Sequence, residues 1–218
     1  MPTAPTDRPV IAAFDVDGTL TVRDCVVPFL RRVATTPGLG WGLARRATRV
    51  LPALVRRDRD TLKALAAAAA FTGRPLAEVS EHGRRFAEYV SGSWMRSDTL
   101  AVLRDHQARG HGVVLVSASF AVYLRPLAEH LGVDGVLATE LVVDPTQRCT
   151  GALAGGNCRG EEKRRRVHRW LAEHHAGRDR VELWAYGDSP GDHALLTDAD
   201  HGIWLGSDRQ RPSGLAPA

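Results

Sequence analysis

Residues 10–20 read Val-Ile-Ala-Ala-Phe-Asp-Val-Asp-Gly-Thr-Leu, five apolar residues followed by two aspartates one residue apart and a glycine. The apolar run predicts a buried strand, and alternation along an extended chain points Asp15 and Asp17 to the same side, past its carboxyl end. One carboxylate of such a pair can attack a phosphorus atom while the other gives a proton to the departing oxygen. Two close carboxylates repel each other unless a cation lies between them, so the pair predicts Mg²⁺. A strand followed by a simple Asx turn is the alternative.

The composition is that of an ordinary soluble globular protein, with 44% hydrophobic and 25% charged residues. The 218 residues are enough to bury a sizeable core, as one domain with an insertion or as two small ones. We expect no transmembrane segment, because the chain has no apolar run of about eighteen residues. Residues 1–7 lack the apolar centre of a signal peptide, so we expect a cytoplasmic protein.

Two scarce residue types carry information. The three cysteines, Cys25, Cys149 and Cys158, lack the spacing of a zinc site, and we expect reduced thiols. A disulfide between Cys149 and Cys158 is the less favoured alternative in a reducing compartment. Only Lys63 and Lys163 among the 29 basic residues are lysines. A chain that uses arginine almost everywhere is expected to place lysine where a compact ammonium is needed.

Positive charge is concentrated in one segment. Residues 31–96 contain 13 Arg or Lys and 5 Asp or Glu, a net of +8, whereas the whole chain has a net charge of +4. Solvated helical faces are the simplest interpretation, and an anionic substrate or a membrane surface is the alternative. No basic stretch interleaved with aromatic residues is present, so we do not expect a nucleic-acid partner.

Strand and helix patterns alternate along most of the chain. The predicted strands are Val10–Phe14, Val113–Val116, Gly135–Ala138, Val181–Tyr186 and Gly202–Leu205, with a hairpin-like excursion at 141–153. The predicted helices are Cys25–Val33, several within Leu39–Met95, Asp98–Arg109, Phe120–Leu131, Glu161–His175 and Pro190–Thr197. This alternation predicts an α/β fold with a doubly wound parallel sheet, whose ligands bind at the carboxyl ends of the strands.

The division into domains follows from the same pattern. Residues 8–29 and 97–208 are predicted to form the catalytic core, and the helical residues 30–96 are an insertion, called the cap below. Residues 209–218 are short, polar and contain Pro and Gly, so we expect a disordered tail.

Three further polar groups follow predicted strands or begin predicted helices. Ser117-Ala118-Ser119 follows a strand, and its hydroxyl and backbone N–H groups suit a phosphate oxygen, although a serine there is usually only a helix cap. Lys163 lies in the first turn of a helix, where a lysine is normally solvated. Two acids in the Gly-rich turn 187–192, Asp188 and Asp192, suit a hydrated Mg²⁺, and a capped helix start is the alternative.

Together with Asp15 and Asp17, these groups resemble, in order and spacing, the four motifs of the haloacid dehalogenase superfamily of phosphotransferases. The resemblance spans residues 10–205, and the helical insertion after the first motif is similar to that of the phosphoserine phosphatase-like subgroup. It implies a Rossmann-like core with an inserted α-helical cap and a Mg²⁺-dependent phosphatase. Halide-cleaving members lack the second aspartate, so the presence of Asp17 favours phosphate chemistry.

The resemblance also implies a role for each motif residue. Asp15 is the nucleophile that forms an aspartyl-phosphate, and Asp17 is the general acid and then the general base. Mg²⁺ is held by the carboxylates of Asp15 and Asp188 and by the backbone carbonyl of Asp17. The phosphate is bound by Ser117, the Ala118 amide and Lys163, and the supporting residues are Asp192, Gly18, Thr19 and Ser189.

The chain departs from phosphoserine phosphatases at positions near the substrate. Asp24 stands where they have glutamate, Ala118 and Ser119 where they have two glycines, and Gly191 where they have asparagine. We therefore expect a substrate other than phosphoserine. The candidate substrate contacts in or beside the cap are Asp24, Phe29, Arg45 and Arg49, while Trp41 and Trp94 are expected to pack in the core.

The sequence thus predicts a phosphomonoesterase that hydrolyses a small-molecule phosphate. Phosphoserine phosphatase activity, hydrolysis of a phospholipid head-group phosphate, transfer to an acceptor other than water and an inactive phosphate-binding module are the alternatives. The segment Leu39–Arg57 mixes apolar residues with arginines, so peripheral contact with an anionic membrane is a further possibility.

Overall fold

The computed structural model describes residues 8–215. Within this range the strands are β1 (Val10–Phe14), β2 (Gly112–Phe120), β3 (Gly135–Val143), β4 (Cys149–Ala154), β5 (Glu182–Gly187) and β6 (His201–Trp204). The helices are α1 (Val26–Ala34), α2 (Thr36–Ala44), α3 (Ala47–Val55), α4 (Arg59–Phe71), α5 (Leu76–Ser93), α6 (Ser97–Ala108), α7 (Ala121–Leu131), α8 (Glu161–His175) and α9 (His193–Asp198).

The strands form one sheet in the order β4-β3-β2-β1-β5-β6. β1 is central and pairs in parallel with β2 and β5, and the outer pairs β2–β3 and β5–β6 are parallel as well. Residues Ile11–Phe14 are fully buried, as a continuous apolar run in a central parallel strand requires. The prediction of an α/β fold with a doubly wound parallel sheet is confirmed.

One edge of the sheet differs from the prediction. β3 is nine residues long and turns back into β4, which pairs with it antiparallel, so the predicted short strand and the excursion are one hairpin. The turn is closed by Asp144, whose Oδ1 accepts hydrogen bonds from the backbone N–H groups of Thr146 (2.8 Å) and Arg148 (3.0 Å). This antiparallel edge strand packs against α4 of the helical segment.

Helices α1–α5 lie between β1 and α6 in the chain. The junction between α1 and α2 is tight, because Thr35 has a φ of +57° and its side chain accepts a hydrogen bond from Gly38 N at the start of α2. The segment leaves and rejoins the sheet at one place, where Val22 N donates to Trp94 O (2.9 Å) and Arg96 N donates to Leu20 O (2.8 Å). The boundaries 30 and 96 themselves remain a prediction.

Two clusters of buried apolar residues cover opposite faces of the sheet. The larger joins the cap to the sheet through aromatic rings, with Phe29 4.7 Å from Tyr123 and 5.5 Å from Phe86 between ring centroids. The smaller includes Val167 of α8 and Leu183 of β5. Helices therefore cover both faces, and the carboxyl ends of the strands face the cap.

The C-terminal segment corrects a prediction. Residues 209–215 were expected to be disordered, but Gln210 O accepts a hydrogen bond from His193 Nε2 (2.8 Å) and Pro212 is buried. Leu215 packs against the smaller cluster, where Gly202 leaves room for it. The described range does not include residues 216–218. It also leaves out residues 1–7, on which the expectation about a signal peptide rests.

The structure bears on the expectations for the cysteines and for a transmembrane segment. Cys25, Cys149 and Cys158 are buried free thiols, and burial raises the pKa of the Cys158 thiol to about 11. Among residues 8–215, none of the helices has the length and apolar character needed to cross a bilayer.

Candidate active site

Asp15 lies at the end of the central strand and is fixed by both backbone and side chain. Its N–H donates to Tyr186 O (2.9 Å), which extends the β1–β5 pairing by one residue. The carboxylate is buried, and its Oδ1 accepts a hydrogen bond from Lys163 Nζ at 2.6 Å. Lys163, in the first turn of α8, is 2% exposed and also contacts Asp192 Oδ1 at 2.5 Å. The ammonium therefore holds two buried carboxylates from separate strand ends.

Three carboxylates gather at this point. Oxygens of Asp15, Asp188 and Asp192 all lie within 4.8 Å of one another. The turn after β5 is held by Ser189, whose N–H (3.0 Å) and hydroxyl (2.8 Å) both donate to Asp192 Oδ2. Thr19 donates to Asp188 Oδ1 across the cleft at 3.3 Å. The structure therefore places four of the residues that were predicted to act together next to one another: Asp15, Lys163, Asp188 and Asp192.

The electrostatics of this cluster favour a cation. Burial raises the pKa of Asp15 well above its usual range, and the Asp192 carboxylate raises it further. Burial and Asp192 likewise raise the pKa of Asp188. Burial alone would lower the pKa of Lys163, but Asp15 and Asp192 outweigh it and raise that pKa. Three carboxylates against one ammonium leave two negative charges, and a set of carboxylate oxygens is what Mg²⁺ prefers.

Gly18 allows the two acidic turns to approach. It has a φ of +82°, a conformation that side chains rarely adopt, and a Cβ atom there would lie 2.2 Å from Asp188 Oδ2. A side chain at position 18 would therefore displace the Asp188 carboxylate from the cluster.

Asp17 is held apart from the three clustered carboxylates. Its Oδ1 accepts a hydrogen bond from Cys25 N (2.8 Å), and its Oδ2 accepts one from the Ser119 hydroxyl. Ser119 in turn accepts a hydrogen bond from Tyr123 Oη at 2.5 Å. Burial raises the pKa of Asp17, and the nearby Asp24 raises it further. In the sequence Ser119 is only a departure from a glycine of phosphoserine phosphatases, whereas the structure makes it a partner of Asp17.

Two of the residues predicted to bind phosphate lie at the end of β2. Ser117 is buried, and its hydroxyl accepts a hydrogen bond from Ser119 N (3.0 Å). The carbonyl oxygen of Ala118 accepts one from Thr139 Oγ1 (2.8 Å) and one from Lys63 Nζ. The peptide between Ala118 and Ser119 is therefore held at both its oxygen and its nitrogen. The phosphate contacts of Ser117 and Ala118 remain predictions.

Lys63 is the site residue that sequence reasoning missed. It extends from α4 of the cap to the core, where its Nζ also donates to Thr139 Oγ1 (2.9 Å) and Asn157 Oδ1 (2.7 Å). Burial lowers the pKa of Lys63 to about 8. The scarcity of lysine in the sequence points to Lys63 as well as to Lys163, but only Lys163 lies in one of the four motifs.

A cavity of about 640 Å³ opens from Asp15, Asp17 and Lys163 toward helices α1–α4. Asp24 lines this cavity, and its Oδ1 accepts a hydrogen bond from Val27 N (3.2 Å) at the start of α1. The remaining cavity wall is mostly aliphatic. The candidate site is therefore a buried acidic floor beneath an apolar chamber.

The other predicted substrate contacts of the cap are corrected. Phe29 is fully buried in the aromatic cluster between cap and sheet and does not line the cavity, because its ring points from α1 into the core. Arg45 and Arg49 are exposed and line shallower depressions outside the cavity. Trp94 is buried as expected, but Trp41 is 68% exposed, so its predicted core packing is wrong.

Comparison with known proteins agrees with this geometry. Residues 12–197 match the family model of the haloacid dehalogenase-like hydrolases. Protein CicA of Caulobacter vibrioides is 36% identical over 193 residues, which cover 88% of this chain and 84% of CicA.

Solved structures share the fold at lower identity. A protein of unknown function from Bordetella pertussis Tohama I has a TM-score of 0.72 and 23% identity, covering 94% of this chain and 92% of that one. A phosphoserine phosphatase in its apo form has a TM-score of 0.57 and 17% identity, with 90% and 85% covered. The likeness to CicA extends over most of the chain, and the match to the family model includes both acidic turns. The chain belongs to the haloacid dehalogenase-like hydrolases.

Proposed function

We propose that this protein is a Mg²⁺-dependent phosphomonoesterase that works through an aspartyl-phosphate on Asp15. The observation that carries the proposal is the separation of two kinds of carboxyl group at one cleft. Asp15 lies against Lys163 in an acidic cluster, while Asp17 is held separately by Ser119 and Cys25 with a raised pKa. A nucleophile and a general acid require this difference in environment.

The first step forms the enzyme–phosphate bond. An Asp15 carboxylate oxygen attacks phosphorus, the ester P–O bond breaks, and its electron pair goes to the departing oxygen. Asp17 gives its proton to that oxygen, so an alcohol leaves and Asp17 becomes a carboxylate. The raised pKa of Asp17 supports this role because it favours the protonated form that a general acid needs.

The second step returns the enzyme to its starting state. The Asp17 carboxylate takes a proton from a water molecule whose oxygen attacks phosphorus. The bond between Asp15 and phosphorus breaks, and inorganic phosphate is released. Ser117, the Ala118 N–H and Lys163 would bind the phosphoryl oxygens in both steps, so that positioning and charge neutralisation provide the catalysis.

The residues present fit a magnesium ion. The Asp15 and Asp188 carboxylates and the Asp17 backbone carbonyl would hold it, with Asp192 supporting the site. When bound, Mg²⁺ neutralises charge on the phosphoryl group as a Lewis acid. The two uncompensated negative charges of the cluster support a divalent rather than a monovalent cation.

Release of p-nitrophenol from p-nitrophenyl phosphate tests the proposal. The wild-type protein should release it with Mg²⁺ and not with chelator, and Asp15→Asn should release none. Asp105→Asn on α6 is the matched control, because Asp105 is exposed and lies outside the cavity. Release that survives Asp15→Asn, or that is independent of divalent metal, refutes the proposed mechanism.

A further inference from the structure

The chamber above the acidic floor has an aliphatic wall. Its volume, about 640 Å³, lies in the range of sites that bury drug-sized ligands. The wall is built from four helices of the cap, with side chains that share aliphatic character: Val26, Leu30, Leu43, Val50, Leu54 and Leu62. A polar group carried on the phosphate would lie against these side chains and lose its hydrogen bonds to water.

Two charged side chains near the floor, Lys63 and Asp24, already have protein partners. The three hydrogens of the Lys63 ammonium are directed to Ala118 O, Thr139 Oγ1 and Asn157 Oδ1. Asp24 accepts a hydrogen bond from Val27 N. Arg59 and Arg159 also line the chamber, so it is the aliphatic wall that disfavours an amino-acid phosphate.

The mouth of the chamber is also aliphatic. Leu54 lines the chamber and is 53% exposed, and its helix also exposes Leu51 (61%) and Val55 (85%). The sequence from Cys25 to Arg57 contains seven arginines and neither Asp nor Glu. An apolar rim on a positively charged surface complements a molecule that is both anionic and aliphatic.

We propose that the substrate is a phosphomonoester whose alcohol carries an aliphatic chain, with the phosphate on the Asp15 floor and the chain along the chamber wall. This inference rests on the proposed phosphatase activity and adds the substrate class. Two sources share this chemistry: an amphiphile dissolved as a monomer, and a lipid phosphate presented by a membrane surface.

A series of n-alkyl phosphates from ethyl to decyl, each below its micelle concentration, tests the proposal. Burial of each methylene predicts a rise in kcat/KM of up to about fourfold until the chamber is filled. Phosphoserine should be a poorer substrate than octyl phosphate. A flat series, or phosphoserine as the best substrate, overturns the inference.

Two leucines on α3 provide a matched pair of variants. Leu54 lines the chamber and Leu51 does not, and both are more than half exposed, so neither substitution should prevent folding. Leu54→Asn should lower kcat/KM for octyl phosphate about tenfold and for ethyl phosphate much less, while Leu51→Asn should change neither. Equal effects of the two variants on octyl phosphate contradict the proposal.

Failure of this inference is distinguishable from failure of the proposed function. If p-nitrophenyl phosphate is hydrolysed but the alkyl series is flat, only the substrate class is wrong. If no ester is hydrolysed, the substrate class is still tested by calorimetry, which compares the binding of ethyl and octyl phosphate to Asp15→Asn in the presence of Mg²⁺. Tighter binding of octyl phosphate supports the aliphatic chamber, and equal binding overturns it.

Lysophosphatidate then distinguishes the two sources. It is offered as a monomer and in phosphatidylcholine vesicles, with and without phosphatidylglycerol. A rate that rises with phosphatidylglycerol and falls with salt supports a membrane-presented substrate. A rate that follows the free monomer supports a dissolved one. A rate below that for glycerol phosphate in every arm overturns the proposal.

Discussion

Replacing Lys63 with methionine should stabilise the protein while weakening its activity. The side chain stays unbranched, becomes one atom shorter and loses its charge. Lys63 has an ordinary pKa of 10.5 that burial lowers to about 8, so keeping it charged in the folded protein costs about 3 kcal/mol near neutral pH. The three lost hydrogen bonds offset about half of this relief, at about 0.5 kcal/mol each, because Ala118 O and Asn157 Oδ1 stay within hydrogen-bond distance of Thr139 Oγ1, which itself keeps the Cys158 N–H as a donor. We expect a net gain of about 1–2 kcal/mol in the free energy of unfolding at pH 7.

The gain should depend on pH in a defined direction. Below pH 8 Lys63 is protonated in both the folded and the unfolded chain, and the folded state bears the full cost of desolvation. Between pH 8 and 10.5 the folded state releases the proton first, so the wild-type protein recovers stability as pH rises. The difference between Lys63→Met and wild type should therefore be largest below pH 8 and shrink above it.

Urea denaturation across this pH range measures the difference. Arg59→Met is the matched control, because Arg59 lies one turn earlier on α4, is exposed and also lines the chamber. It should leave the pH dependence unchanged. A Lys63→Met protein that is less stable than wild type at pH 7, or a difference that does not vary with pH, refutes the reasoning. At pH 7, kcat/KM for p-nitrophenyl phosphate should fall about tenfold, because the Ala118 peptide loses one of its two oxygen partners.

Three further changes address other parts of the site. Gly18→Ala should lower Mg²⁺-dependent kcat/KM at least about hundredfold, because its Cβ displaces Asp188, and Mg²⁺ titration should show weakened binding. Ser119→Ala removes a hydrogen bond that lowers the pKa of Asp17, so the pH above which kcat/KM declines should move upward; an unchanged pH profile would contradict this role. Phe29→Ala should cost about 3–5 kcal/mol of stability by urea denaturation with KM unchanged, whereas a raised KM at full stability would restore it as a substrate contact.

The parts of the fold that the sequence predicted are those set by local pattern. The apolar run before Asp15 forms the central strand, because burial on both faces requires continuous hydrophobicity. Asp15, Asp188 and Lys163 were expected to meet, because parallel strands bring their carboxyl ends to one edge of the sheet. Spacing along the chain is enough for such predictions.

The incorrect predictions concern residues whose surroundings depend on packing between helices. Phe29 lies on α1, Arg49 on α3 and Arg45 directly after α2, and the sequence does not show which neighbour each of these surfaces meets. Five helices between β1 and α6 can be arranged in many ways, and only the arrangement decides whether a side chain reaches the chamber. The packing of Leu215 against Gly202 is likewise a contact between distant parts of the chain.

Helix α4 contributes both to the chamber wall and to the proposed phosphate-binding site. α4 contributes Leu62 to the aliphatic wall and Lys63, the next residue, to the carbonyl of Ala118. A substrate chain that packs against Leu62, as proposed, would therefore also restrain the helix that contacts the proposed phosphate-binding peptide. Binding energy from the non-reacting part of a substrate raises kcat only when it is used to order the reacting part. Because the wall and the positioning group share α4, the dependence on alkyl chain length should appear in kcat as well as in KM.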